Sequence, residues 1–130
     1  MRDVGCGMRD EGWGRFYGML GREELEKMLA RCDVGVIPMR EDSFVGIPNK
    51  LAEYAAAGLR IVSSLRGETE ELLKRYGCGL TYQAGSAESF AAAVMKAREL
   101  PERASLLLVE RELSATRIYD RYCRRVVELV

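Results

Sequence analysis

Between residues 38 and 58 the chain reads PMREDSFVGIPNKLAEYAAAG, and most of its groups suited to holding a phosphorylated, hydroxyl-rich ligand fall in this span. Glu41, Asp42 and Ser43 stand together ahead of Gly46 and Ile47, in what reads as a loop. Pro48 suits the first helical position, where its missing N–H costs nothing. Asn49 and Lys50 then fall in an opening turn whose amides have no intrahelical acceptor and lie at the positive end of the helix dipole, an arrangement that attracts phosphate. Lys50 and Glu53 are three apart and therefore neighbours on a helical surface. They suit a cation for a diphosphate and a carboxylate for ribose hydroxyls. They equally suit an ion pair worth roughly 0.2–0.5 kcal/mol to the helix.

The elements around this span are those that would place it at a sheet edge. Asp33 to Pro38, with Val34, Val36 and Ile37, is a nearly continuous apolar run, as a parallel strand covered on both faces requires. The helix opened by Pro48 buries Leu51, Tyr54 and Ala55, and Gly58 is its expected left-handed stop. Arg60 to Ser64 is the next strand. The two strands and the helix between them form a βαβ unit, and open parallel sheets bind ligands at the carboxyl ends of their strands.

The same pattern extends in both directions. Arg15 to Gly18 reads as a short strand. REELEKMLARC follows as a helix, with Leu25, Met28, Leu29 and Cys32 on one face. Gly67 to Glu70 opens a helix with Leu72, Leu73 and Tyr76 inward and Gly77 at its end, and Gly79 to Tyr82 is a further strand. Ser86 caps a helix carrying Phe90, Val94 and Met95. Pro101 is expected to begin another helix through Leu106 to Val109. Ser114 to Val130 closes the chain as a helix with a wide apolar stripe: Ile118, Tyr122 and Val126 beside Tyr119, Cys123 and Val127. That stripe calls for cover by the domain or by a partner, so self-association is expected to be open to it. The order of strands and helices predicts one α/β domain, a three-layer parallel sheet flanked by helices.

Composition removes several classes of function. Twenty basic and twenty acidic side chains in 130 residues leave no net charge, so general affinity for nucleic acid or anionic lipid has no electrostatic basis. With no histidine, neither a Ser-His-Asp nor a Cys-His arrangement can be assembled in this chain. Cys6, Cys32, Cys78 and Cys123 are widely separated and form no C-x-x-C pair. They read as reduced, mostly buried thiols of a cytoplasmic protein, not as metal ligands. No cofactor is called for. Gly5 and Gly7 begin a G-x-G, but the third glycine of a dinucleotide fingerprint is replaced by Asp10, which sets an oxidoreductase aside; Val4 to Gly7 reads as a loop or strand remnant. Trp13, between glycines, is expected to be a packing side chain. No apolar run approaches the ~18 residues of a membrane helix.

From about Arg15 onward the chain resembles the carboxyl-terminal, nucleotide-sugar-binding half of GT-B glycosyltransferases of the group 1 (family 4) class. The resemblance rests on RFYGML, EELEKMLARCDVGVIPM, GIPNKLAEYAAAGLRIVSS, RGETEELLKRYGCGLTY and IYDRYCRRVVEL, of which PNKLAEYAAAG is the most specific. It implies a Rossmann-like, partial GT-B carboxyl-terminal domain. The implied substrate is a nucleoside diphosphate sugar, its glycosyl group transferred to an acceptor with retained configuration, in cell-surface glycan synthesis. Of the family's two signature glutamates, the second falls on Glu53 and would hold the ribose; the first falls on Val45, which has no carboxylate, and Glu41 or Asp42 could stand in through a longer loop. The Asn49 and Lys50 amides would meet the diphosphate, and Pro38 and Met39 would border the base. Of the family's two leading strands, the resemblance implies that the first has no counterpart in this chain and that Val4 to Gly7 could be what is left of the second; it further implies that the acceptor-binding amino-terminal half is not in this chain. That half would be a partner, membrane attachment would be peripheral through the complete enzyme, and the chain alone would not turn over. The alternative is a non-catalytic interaction module built on the same fold.

Overall fold

The computed structural model describes residues 9, 10 and 12–129. The Val4 to Gly7 remnant and Cys6 lie outside the described residues. The chain divides into a unit ending at Arg31 and a unit from Cys32 onward. In the first, β1 (Arg9–Asp10) and β2 (Arg15–Phe16) form an antiparallel ladder with Arg9 opposite Phe16, and α1 spans Arg22–Leu29. The expectation that Arg15 to Gly18 extends the parallel sheet is therefore corrected. Gly12, at φ +80°, lies in the short connection that turns the chain back on itself. Trp13 is 82% exposed, its ring in a T-shaped pair with Phe16 at 5.7 Å, so little of it serves the packing role expected.

The second unit holds β3 (Val34–Ile37), α2 (Asn49–Ala56), β4 (Arg60–Ser63), α3 (Glu68–Tyr76), β5 (Gly79–Thr81), α4 (Ala87–Ala97), α5 (Ser105–Leu108), a π-helical turn (Val109–Leu113) and α6 (Ala115–Leu129). Its sheet is parallel, in the order β3-β4-β5. Alternation along β4 divides the core. Ile61 joins Ile37, Leu51, Ala55, Leu72, Leu73 and Leu108 under α2, α3 and α5. Val62 faces the other way, with Tyr82, Ala93 and Ala97 under α4. This is the expected three-layer arrangement, with a three-stranded sheet.

Helix ends follow local chemistry. Gly58 has φ +77°, its amide bonds to the Ala55 carbonyl at 3.0 Å, and the Leu59 amide bonds to Tyr54 at 3.1 Å, the paired bonds of a Schellman stop. The Ser86 hydroxyl accepts from the Ser89 amide at 3.1 Å, as an N-cap should. Pro48 precedes α2 instead of occupying its first position. At ψ 152° it is extended, and its carbonyl accepts the Leu51 amide at 3.1 Å.

Three further expectations are corrected. Met95 is 61% exposed; the inward face of α4 is formed by Ala93 and Ala97, with the expected Phe90 and Val94 packed partly buried beside them. Helix α5 starts at Ser105, not at Pro101, because Arg103 takes φ +61° and interrupts any helical run from the proline. Of the thiols, Cys78 is buried, with its pKa pushed up to about 11 by desolvation, but Cys32 and Cys123 are exposed.

Candidate functional site

Strand register decides where the loops emerge. Ile37 lies opposite Ser63, and Ser63 opposite Thr81, so the three strands end level with one another. The chain then leaves the sheet side by side at residues 38–43, 64–67 and 82–86. Ser64 locks the first two segments together: its hydroxyl accepts from the Met39 amide at 2.7 Å and donates to the Met39 carbonyl at 2.8 Å. The loop then turns at Arg40, whose carbonyl accepts the Ser43 amide at 3.1 Å. Further on, the Thr69 hydroxyl of α3 donates to the Gly46 carbonyl. The approach to α2 is thus tethered at both ends to the β4–α3 segment.

Over the level strand ends lies a cavity of about 730 Å³ lined by Pro38, Met39, Arg40, Glu41, Asp42, Tyr82, Ala84 and Gly85. A smaller cavity of about 180 Å³ shares Arg40, Glu41 and Ala84 with it and adds Ser43, Ser64, Leu65, Arg66 and Gln83. The Tyr82 ring, edge-on to Phe90 at 5.1 Å, stiffens the side formed by β5 and α4. Arg40 pairs with Asp42 at 3.1 Å and Arg66 with Glu70 at 2.7 Å.

The residues singled out from sequence divide into two groups. Pro38, Met39, Glu41, Asp42 and Ser43 come together around these cavities. Gly46, Ile47, Pro48, Asn49, Lys50 and Glu53 do not line them. Ile47 lines a separate pocket with Glu68, Glu71, Leu72, Arg75, Glu112 and Arg121. Asn49, Lys50 and Glu53 are exposed on the first turns of α2. The Asn49 and Lys50 amides donate to no protein acceptor among the described residues, and no ion pair joins Lys50 to Glu53 among them. The phenol beside Glu53 is perturbed: burial raises the pKa of Tyr54, and the charges of Glu53 and Cys32 add to the rise. Val45, at the first signature position, is 40% exposed.

Sequence reasoning passed over Arg40, Ser64, Arg66, Tyr82, Gln83, Ala84 and Gly85. The signal that could have found them is the carboxyl end of every strand in a parallel sheet, not of the first alone. Among the described residues no group of three or more acids or cysteines could hold a metal ion, and no helix is long and apolar enough to cross a membrane.

A family model, glycosyl transferases group 1, matches residues 7–99, a span that contains both cavities and the whole of α2. No curated protein and no solved structure matches the chain.

Proposed function

Because this chain belongs to the group 1 glycosyl transferases, we propose that its part in glycosyl transfer is to bind the nucleoside diphosphate sugar donor at the level carboxyl ends of β3, β4 and β5. The observation that carries this reading is the large cavity lined by Pro38, Met39, Glu41 and Asp42, with the bare amides of Asn49 and Lys50 further along the same loop–helix segment. Its volume lies within the ~300–1,000 Å³ usual for small-molecule sites.

In this reading Pro38 and Met39 border the base and Glu53 accepts hydrogen bonds from the ribose hydroxyls. The opening turn of α2, approached through Gly46 and Ile47, faces phosphate with the Asn49 and Lys50 amides and the Lys50 ammonium. Transfer then needs no protein nucleophile from this chain. What the donor side must supply is stabilisation of the negative charge that grows on the departing diphosphate, together with fixed positioning. Acceptor binding falls to an amino-terminal half acting as partner.

Calorimetric titration of the chain with UDP, GDP and ADP sugars tests the proposal. One of them is expected to bind, and Glu53→Ala is expected to weaken it about tenfold, the value of one charge-assisted hydrogen bond. Silence with all three at millimolar concentration removes the reading. Binding that Glu53→Ala leaves unchanged removes Glu53 from it.

One observation favours a second role, that of an interaction module: α6 buries none of its residues and turns an apolar face outward. Its four arginines are interleaved with Asp120 and Glu128 and lie beside Glu110 and Glu112, so the helix offers lipid or nucleic acid no net basic patch, and a second copy of this uncharged chain is the occupant it suits.

A further inference from the structure

The exposed face of α6 is symmetric about one residue. Counted from Tyr122, Ile118 and Val126 stand four positions either way and Ala115 and Leu129 seven, all on one side of the helix. Asp120 and Arg124 stand two positions either way, along the flank beyond Cys123 and Val127. A surface of this kind is its own complement when a second helix lies against it in the reverse direction. We propose that α6 is the interface for a second copy of this chain, the two helices antiparallel about a two-fold axis at Tyr122. The assignment rests on the interaction-module reading and gives it a partner, a direction and a register.

Three features support the assignment. The first is packing. With Tyr122 against its counterpart, Ile118 of each copy falls opposite Val126 of the other and Ala115 opposite Leu129, so side chains that the single chain leaves exposed each gain an apolar neighbour. The second is charge. In an antiparallel pair about a two-fold axis, each flank lies beside the same flank of the other helix, run in reverse, and Asp120 of one copy therefore meets Arg124 of the other, twice. Within one chain these two are joined at 2.9 Å as a surface pair, which is readily shared with a further partner. On the opposite flank Arg121 and Arg125 approach their own kind, but Glu112 at 3.7 Å and Glu128 at 3.2 Å offset each of them within its own chain. A parallel pair would instead bring Arg124 against the flank of Arg121 and Arg125. The third is attachment. Arg117 reaches Glu110, and Arg121 reaches Glu112 and the Arg111 carbonyl, so the first half of the helix is anchored to the preceding turn, whereas the pairs made by Arg124 and Arg125 stay within the helix. Antiparallel pairing lays the free half of each copy over the anchored half of the other.

Sedimentation velocity on the full chain tests the proposal. The wild type is expected to form a reversible dimer. Asp120→Arg and Arg124→Asp, each alone, set like charges together in the antiparallel pair and are each expected to weaken the dimer about tenfold. An equimolar mixture of the two variants restores both opposite-charge contacts and is expected to dimerise as the wild type does, a recovery that variants damaged in their fold could not show. If the wild type dimerises and the mixture associates no more tightly than either variant alone, the register is overturned and the second-copy reading stands without it. Tightening by Arg124→Asp alone would mean parallel helices and overturns the direction. If the wild type stays monomeric throughout, the second-copy reading fails and takes the register with it, and donor binding is untouched.

Discussion

Gly35 and Gly79 show how closely the second unit is drawn together. A Cβ on Gly35 would stand 2.5 Å from the Tyr54 ring, and one on Gly79 would stand 2.4 Å from the Ile61 carbonyl oxygen and 2.9 Å from Leu73. Neither glycine is needed for a left-handed backbone; both are needed because something occupies the space that a methyl group would take. A ring can tilt, whereas a strand carbonyl committed to a ladder cannot move without the ladder. Gly79→Ala is therefore expected to destabilise by about 3 kcal/mol and Gly35→Ala by about 1 kcal/mol, the two ends of the overpacking range. Urea unfolding checks the order: the midpoint should fall further for Gly79→Ala, with the slope unchanged. Equal midpoints would mean that the β4–β5 pair yields as easily as the Tyr54 side chain.

At the scale of elements, Glu112 is the carboxylate that links α6 to α3 through the π-helical turn. Glu112, in the π-helical turn, accepts from the Tyr76 hydroxyl at 2.8 Å and from Arg75 at 3.2 Å, and Arg121 of α6 lies 3.7 Å away. Arg117 pairs with Glu110 at 3.8 Å. The basic side of the helix is thus turned toward the turn that precedes it, which leaves Tyr119, Tyr122, Val126 and Val127 outward. The Tyr76 hydrogen bond, helped by Arg121 and Arg75 and opposed by desolvation, holds the Glu112 carboxyl below its ordinary value of 4.5. A depressed carboxyl contributes stability that is fully present above the unfolded value and lost as pH falls through the folded one. Amide exchange across residues 109–129 should therefore accelerate below about pH 4.5 relative to α3, and Glu112→Gln should show fast exchange at neutral pH with no further acid step. An acid step of the same size in that variant would assign the effect to other carboxylates.

For the whole molecule, balanced charge and an uncovered apolar helix point the same way. With no net charge, copies of the chain have little repulsion to keep them apart, and α6 presents Tyr119, Tyr122 and Val127 at 69%, 67% and 74% exposure. Light scattering over a wide concentration range is expected to show a reversible rise in mass, abolished by Tyr122→Asp with Val126→Asp. A single monomeric mass throughout would discard the self-association reading.

Local chemistry made much of this legible beforehand. The apolar runs at 34–37 and 60–63, the glycine stops at 58 and 77 and the serine cap at 86 are decided by neighbours in sequence, and they appear where residue type and period placed them. So do the loop acids and Pro38 and Met39, because the first strand end is read directly from its own residues. Where Arg15–Phe16 pairs, where α5 begins, and the exposure of Met95 and Cys123 were not legible, since pairing partners and burial depend on segments distant in sequence. That Arg40 and Arg66 line one cavity belongs to that second class. Sequence determined that each follows a strand; only the parallel register, which makes those strands end level, set both residues in the same lining.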